Sequence, residues 1–222
     1  MALNARIGAF IVSCLVCLIT SGAQAEGFDV RPVILEAKGG LATFTVANPG
    51  TARIYIETSV MEWSKDADGK DLLKESAEAV ASPPGIWVPA GASYLVRVSL
   101  PPPRGNQERA FRVLAQQVPD RSSFTAGRIV FAVTQSLPAF SQPDSMAPPT
   151  LSATLRGTTL MITNSGGRRS RIQAVRQDGR TLATGLLGYA LAGTTSAIPV
   201  PGLHAGHVDI DTDLGPRALE VR

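Results

Sequence analysis

The stretch GRIVFAVTQSLPAF, Gly127 to Phe140, decides how the chain is read. Ile129, Phe131 and Val133 are apolar, and so are Val130 and Ala132 between them. A strand on a solvated sheet alternates one apolar face with one wet face, because successive side chains point to opposite sides. This strand is apolar on both, so something must cover its second face. It is either a central strand buried within its own sandwich or a strand that lends one face to a partner, and periodicity does not separate the two.

The segments before it carry the same extended signature. FDVRPVILEA is extended, and Pro32 places it near a sheet edge. LATFTVANPG alternates and ends in an Asn-Pro-Gly turn, and RIYIETSVMEW sets Ile54, Ile56 and Val60 on a period of two. GIWVPAGASYLVRVSL reads as two strands joined at a Pro-Ala-Gly turn, and ERAFRVLAQQVP as one more. Only KDLLKESAEAV has a helical look, and it is short and polar enough for a loop. About seven strands lie between Phe28 and Phe140, the complement of an immunoglobulin-like sandwich. Trp63 and Trp87 lie in or close predicted strands, so core packing is expected of both.

Beyond Phe140 comes SQPDSMAPP, which has three prolines and no apolar period and reads as a linker. A second β module follows: TLSATLRG, TLMITNSGG, RIQAVRQDGR, TLATGL, TTSAIPVP, HVDIDTD and RALEVR, with QDGR as a hairpin turn. Without a disulfide a module this small is marginal alone and should lean on the first. The chain is thus expected to be all-β, with an N-terminal immunoglobulin-like domain over 26–142, a hinge over 143–148 and a smaller C-terminal β-sandwich over 149–222.

Residues 1–25 read as a secretory signal peptide. Arg6 is their only charged side chain, an apolar run extends from Ile7 to Ile19, and Ala23 and Ala25 fit an A-x-A cleavage site. A lipoprotein signal at Cys14 is disfavoured, because most of the apolar run follows that cysteine. Both cysteines, Cys14 and Cys17, lie in this segment, so the exported chain has none and must hold its core without a disulfide. Removing Arg6 takes the net charge from +3 to +2, too little for a nucleic-acid partner. No second apolar run is long enough to span a membrane, so no membrane insertion is expected after cleavage.

No catalytic pattern emerges. G-x-S-x-G, Walker, H-E-x-x-H and dinucleotide fingerprints are missing. His204 and His207, with Asp209 and Asp211 close behind, could build a metal site, but side chains three apart on a strand diverge, and solvated edge residues are expected. Glu36 and Glu57 lie on separate strands. GGRRSR, Gly166 to Arg171, reads as a solvated hairpin tip, with contact to an acidic partner or lipid headgroups as the alternative. Neither an enzyme, a metal nor a cofactor is expected.

Three adjoining stretches carry a resemblance: PPGIWVPAGASYLVRV from Pro83, ERAFRVLAQQVP from Glu108, and RIVFAVTQSLPAFSQP from Arg128. In this order and spacing they resemble the periplasmic pilus-assembly chaperones, the PapD-like family. The short loop and the SLPAF ending resemble its archaic, spore-coat-like branch. LGYALAGTTSAIPVP resembles the family's glycine–tyrosine stretch in the second domain. The resemblance implies two immunoglobulin-like domains set as a boomerang. It implies a periplasmic chaperone that completes pilus subunits by lending them a strand and delivers them to an outer-membrane usher. By alignment the lent residues are Ile129, Phe131 and Val133. The free protein would cap its own exposed strand as a homodimer. Classical members hold the subunit's terminal carboxylate with an arginine on the first strand and a lysine on the lent strand. The lysine position falls here on Pro138. The arginine position falls on Arg31 or, with a loop-length shift, on Ile34. Arg97 and Arg112 are the other candidate cations, and Arg31 and Arg97 are preferred. A family arginine at the domain junction falls on Gln142, which argues against the family's interdomain ion pair. The rival reading is a structural or accessory immunoglobulin-like envelope protein, and a further one is a hydrolase or metal-binding module using His204 and His207.

Overall fold

The computed structural model describes residues 27–119 and 132–222. All regular structure in it is strand. The first ten strands are β1 (Asp29–Arg31), β2 (Leu35–Lys38), β3 (Leu41–Ala47), β4 (Ile54–Lys65), β5 (Asp71–Glu75), β6 (Val80–Ser82), β7 (Gly85–Val88), β8 (Ser93–Ser99), β9 (Arg109–Val118) and β10 (Thr134–Gln142). They pair in the order β5-β4-β9-β10-β2-β3-β8-β6, with β7 on β4 and β1 on β3. One layer holds β5, β7, β4, β9, β10 and β2, and the other holds β1, β3, β8 and β6. The chain turns from one layer to the other at Gly39-Gly40, whose positive φ values of 68° and 81° only glycine adopts at no cost. The first strand is split for the same reason of layering. Pro32 has no N–H to give a ladder, and on its two sides β1 joins β3 while β2 runs parallel to β10.

Alternation does the packing. Phe44 and Val46 of β3, Ile54 and Ile56 of β4, Val96 and Val98 of β8, and Phe111 and Val113 of β9 all point between the layers. Leu137 and Ala139 of β10 join them. Side chains such as Phe44, Phe111 and Leu137 are at most 1% exposed, and each such burial is worth about 1.5–3 kcal/mol. That is how a chain without disulfides closes its core.

The KDLLKESAEAV stretch is neither helix nor plain loop. Asp71–Glu75 pairs with the far end of β4 as an edge strand, and Val80–Ser82 pairs with β8. All five residues of β5 are exposed, so the stretch lacked the alternation that betrays a strand. Among the described residues the first sandwich therefore has ten strands rather than about seven, the extra ones being the short edge strands β5 and β6 and the split of the first strand into β1 and β2.

The second sandwich comprises β11 (Leu151–Arg156), β12 (Thr159–Asn164), β13 (Ser170–Gln177), β14 (Arg180–Ala190), β15 (Thr194–Pro199), β16 (Gly206–Thr212) and β17 (Gly215–Val221). The order is β14-β13-β16-β17-β11-β12-β15. Its core is Leu160, Ile162, Ile172, Ile198, Val208 and Ile210. The QDGR turn is a two-residue hairpin, with Asp178 and Gly179 at φ 52° and 72°, as such a turn requires. Among the described residues no helix is long and apolar enough to cross a membrane.

Candidate functional site

β10 is apolar on both faces for a reason that only the two sandwiches together supply. Pro138 and Phe140 point away from the first core. There Phe140 meets Trp63 of β4 at 6.1 Å between ring centroids and Tyr189 of β14 at 5.8 Å. Trp63 and Tyr189 touch edge-on at 5.4 Å and 80°. Ala110, Leu191 and the half-buried Ile34 complete this third cluster. The second sandwich thus roofs the lower half of β10, and Trp63 is buried by that roof rather than by its own domain's core.

An ion cluster closes the junction. The guanidinium of Arg169 donates to Glu108 Oε2 at 2.9 Å and to Glu36 Oε1 at 2.6 Å, and its backbone N–H donates to Glu108 Oε1. It also lies 3.6 Å from the centroid of the Phe140 ring. The side chains of Arg169 and Glu108 are 5% and 1% exposed. Burial pushes the Glu108 carboxyl up, against the pull of Arg169. Glu36, more open, is held below the usual carboxylate range by its hydrogen bond from Arg169. These facts correct two expectations. GGRRSR is not a solvated tip, and an interdomain ion pair exists although Gln142 occupies the family's arginine position. The cation comes from the other domain instead. The two glycines let it in: a Cβ on Gly166 would lie 2.2 Å from the Pro148 carbonyl oxygen, and one on Gly167 2.5 Å from that of Asn106.

Above the junction the outer face of the first layer is open. The register sets Arg112 of β9 opposite Pro138 of β10 and opposite Met61 of β4. Carried back one residue from Ala139–Leu35, the parallel register brings Ile34 beside Pro138. Ile34, Pro138, Arg112 and Met61 therefore form one row. The lysine position, Pro138, and the shifted alternative for the arginine, Ile34, hold apolar residues, and an arginine stands next to them on the third strand. The Arg112 guanidinium lies 3.8 Å from the Trp63 ring centroid. It is half-buried, and it makes no salt bridge among the described residues. Burial pulls its pKa down, and the charge of Asp71 pushes back. Asp71 itself is committed, accepting from Trp63 Nε1 at 2.8 Å and Lys65 Nζ at 2.6 Å. Burial works to raise its pKa, but those hydrogen bonds outweigh it and hold the carboxyl low.

Arg31 and Arg97 lie elsewhere. Both are exposed on the outer face of the other layer, where Arg97 pairs with Thr43 and Arg31 with Thr45. The structure brings these two toward each other and separates them from Arg112 by the thickness of the sandwich. Val133 is half-buried against the first core. Ile129 and Phe131 lie outside the described residues, as do residues 1–25. Along β10, Ala139–Gln142 pair with β2, whereas no strand among the described residues pairs with that edge over Thr134–Pro138.

The histidines remain apart from this face. His204 pairs with Asp178 at 3.0 Å and His207 with Glu220 at 3.1 Å, all four side chains well exposed. Among the described residues no group of three or more His, Cys, Asp or Glu is placed to hold a metal ion. The sequence reading missed Arg169, Tyr189 and Asp71, and misjudged Trp87, which is 43% exposed rather than core. The tyrosine of the LGYALAG stretch was the one available signal.

The family model for pili and flagellar-assembly chaperones, PapD N-terminal domain, matches residues 29–147, more than half of the chain. No curated protein sequence matches it. Among solved structures, the chain is similar to the CsuC–CsuE chaperone–tip adhesion subunit pre-assembly complex from archaic chaperone-usher Csu pili of Acinetobacter baumannii. There the TM-score is 0.73 at 19% identity, covering 88% of this chain and 99% of that one. The Salmonella enterica SafA pilin complex with the SafB chaperone gives 0.66 at 19% identity, covering 88% and 96%. The E. coli chaperone DraB gives 0.62 at 15%, covering 89% and 96%. These likenesses fix the fold, two immunoglobulin-like sandwiches, and the family match fixes the kinship: the chain belongs to the pili and flagellar-assembly chaperones.

Proposed function

We propose that the chain is exported to the periplasm by a signal peptide at residues 1–25. There it binds nascent pilus subunits, completes them with its own strand, and hands them to an outer-membrane usher. The observation that carries this reading is the edge of β10 over Thr134–Pro138, unpaired among the described residues, beside a half-buried Arg112 that makes no salt bridge among them. An open edge with backbone donors and acceptors is a template for an incoming strand. In the sequence Ile129, Phe131 and Val133 keep the period of two on which Leu137 and Ala139 line this core, and they are the residues we read as lent to the client's core.

Arg112 is the residue that fits the client's terminal carboxylate. It is already half-buried and lies against the Trp63 ring, so less ordering is left to lose, and a charge-assisted hydrogen bond there is strong. Arg31 and Arg97, on the far face, do not serve that site. The relatives support the choice of partner: CsuC was solved with a tip adhesion subunit and SafB with a pilin. The likeness to the chaperone of the archaic Csu pili and the short SLPAF ending favour the archaic branch. Domains over 26–142 and 149–222 with a linker over 143–148 follow the two sandwiches. Without a client the exposed strand is an aggregation hazard, and a homodimer would cap it.

The test is periplasmic co-expression of the tagged chain with candidate pilus subunits. Wild type should give a soluble one-to-one complex. Arg112→Ala, and separately Phe131→Asp with Val133→Asp, should stay folded by circular dichroism and lose the complex. Capture that survives both variants, or a panel of subunits that all aggregate, refutes the reading.

A further inference from the structure

The Arg112 guanidinium rests on the Trp63 indole, so whatever fixes the indole aims the arginine. The two residues are diagonal neighbours on β9 and β4: Met61 stands opposite Arg112, and Trp63 follows two residues later on the same face. A long side chain reaches across that diagonal, and the guanidinium lies 3.8 Å from the ring centroid. A functional group is held in its working direction by the packing and hydrogen bonds of the residues behind it. Behind Arg112 stands Trp63, and behind Trp63 stands Asp71.

Tyr189 meets the indole edge-on, and the indole Nε1 donates to Asp71 Oδ1 at 2.8 Å. The same oxygen accepts from Lys65 Nζ at 2.6 Å. Asp71 stands opposite Lys65 on β5, an edge strand that would be a loose footing if nothing tied its end. The β4–β5 turn is tied twice. Asp66 Oδ1 accepts from the Lys70 N–H at 2.8 Å, which closes the turn on itself. The Ala197 N–H of β15 donates to the Gly69 carbonyl oxygen at 2.9 Å, and Arg156 pairs with Asp68 at 3.2 Å, which fastens the tip to the second sandwich. Gly69 permits that approach: a Cβ there would lie 2.7 Å from the Ala197 nitrogen. The charges are arranged to suit. A bare carboxylate near Arg112 would repel the carboxylate of a client, and Lys65 cancels it at hydrogen-bond distance.

We propose that Asp71 is the positioning residue of the client's carboxylate site: its Oδ1 orients the Trp63 indole, the indole orients the Arg112 guanidinium, and Lys65 neutralises the carboxylate that does the orienting. This inference rests on the reading of Arg112 above and adds the group that sets the arginine's direction.

The experiment uses two peptides that copy the last strand of the subunit captured in the co-expression test, one ending in a free acid and one in an amide. The ratio of their dissociation constants isolates what the carboxylate contributes. In wild type the amide should bind about tenfold or more weakly, the size of a hydrogen bond to a charged group, and in Arg112→Ala the ratio should fall near one. For Asp71, charge and position predict opposite signs. If Asp71 acted by charge alone, Asp71→Ala and Asp71→Asn would both unmask Lys65 and raise the ratio. Positioning requires that Asp71→Ala bring the ratio to within about threefold of one. Asp71→Asn keeps an Oδ1 that can accept both bonds, so its ratio should stay at or above that of wild type. Damage to the fold would weaken acid and amide alike and leave the ratio in place. Trp63→Phe removes the donor instead of the acceptor and should lower the ratio as Asp71→Ala does, which keeps the test decisive if the alanine variant fails to fold. An undiminished ratio in Asp71→Ala with loss in Arg112→Ala overturns this inference and leaves the anchor reading standing. An equal fall in Asp71→Ala and Asp71→Asn also overturns it. A ratio near one in wild type, or no binding of either peptide, overturns both.

Discussion

Replacing Arg169 by alanine removes the one cation that, among the described residues, pairs with a carboxylate only 1% exposed. Two responses are open to Glu108. It can stay charged in the dry junction, where losing one member of a buried pair costs about 3–5 kcal/mol. Or it can take up a proton. From an ordinary value of 4.5, protonation at pH 7 costs about 1.36 × (7 − 4.5), or about 3.4 kcal/mol. The cheaper response sets the ceiling, and the half-open Glu36 pair adds at most about 1 kcal/mol. Arg169→Ala should therefore lose about 3–4 kcal/mol at pH 7, seen as a lower urea midpoint. The proton route fixes the pH dependence. As pH falls from 7 towards 5 the penalty should shrink by about 1.4 kcal/mol per unit. Adding Glu108→Gln to Arg169→Ala should restore much of the loss at pH 7 and remove its pH dependence, because no buried charge is left. Urea melts of wild type, Arg169→Ala and the double variant at pH 5, 6 and 7 decide it. A loss below about 1 kcal/mol, or one equal at all three pH values, would mean that Glu108 reaches water once Arg169 is gone, and the buried-clamp argument would fall.

Tyr189→Ala should cost about 3–5 kcal/mol, the range for deleting a buried aromatic. It should also expose Trp63, read as a red shift in tryptophan emission; unchanged emission would refute the roof. Glu36 has its pKa lowered by Arg169, so its stabilisation is full above the ordinary value near 4.5 and is lost as pH falls through its lowered value. Glu36→Gln should therefore lower stability at pH 7 and flatten the acid limb below about pH 4.5. An acid limb identical to wild type would count against that ion pair.

The sequence by itself determined the all-β class, the two modules and most strands, because alternation and turn residues are local properties. RIYIETSVMEW and QDGR were readable without any partner: their faces and turn are set within a few residues. It also marked GRIVFAVTQSLPAF as needing a cover on its second face. Only the tertiary structure decided what that cover is. For Phe140 it is Tyr189 and Arg169, some fifty and thirty residues away in the other sandwich. The same distance explains the misreadings. Arg169 looked solvated because nothing in GGRRSR announces Glu108. β5 looked like a loop because an exposed edge strand needs no apolar period. Arg112 could not be ranked above Arg31 and Arg97 in the sequence. Its claim rests on lying opposite Pro138, and strand register is set by pairing across the sheet, not by neighbours along the chain.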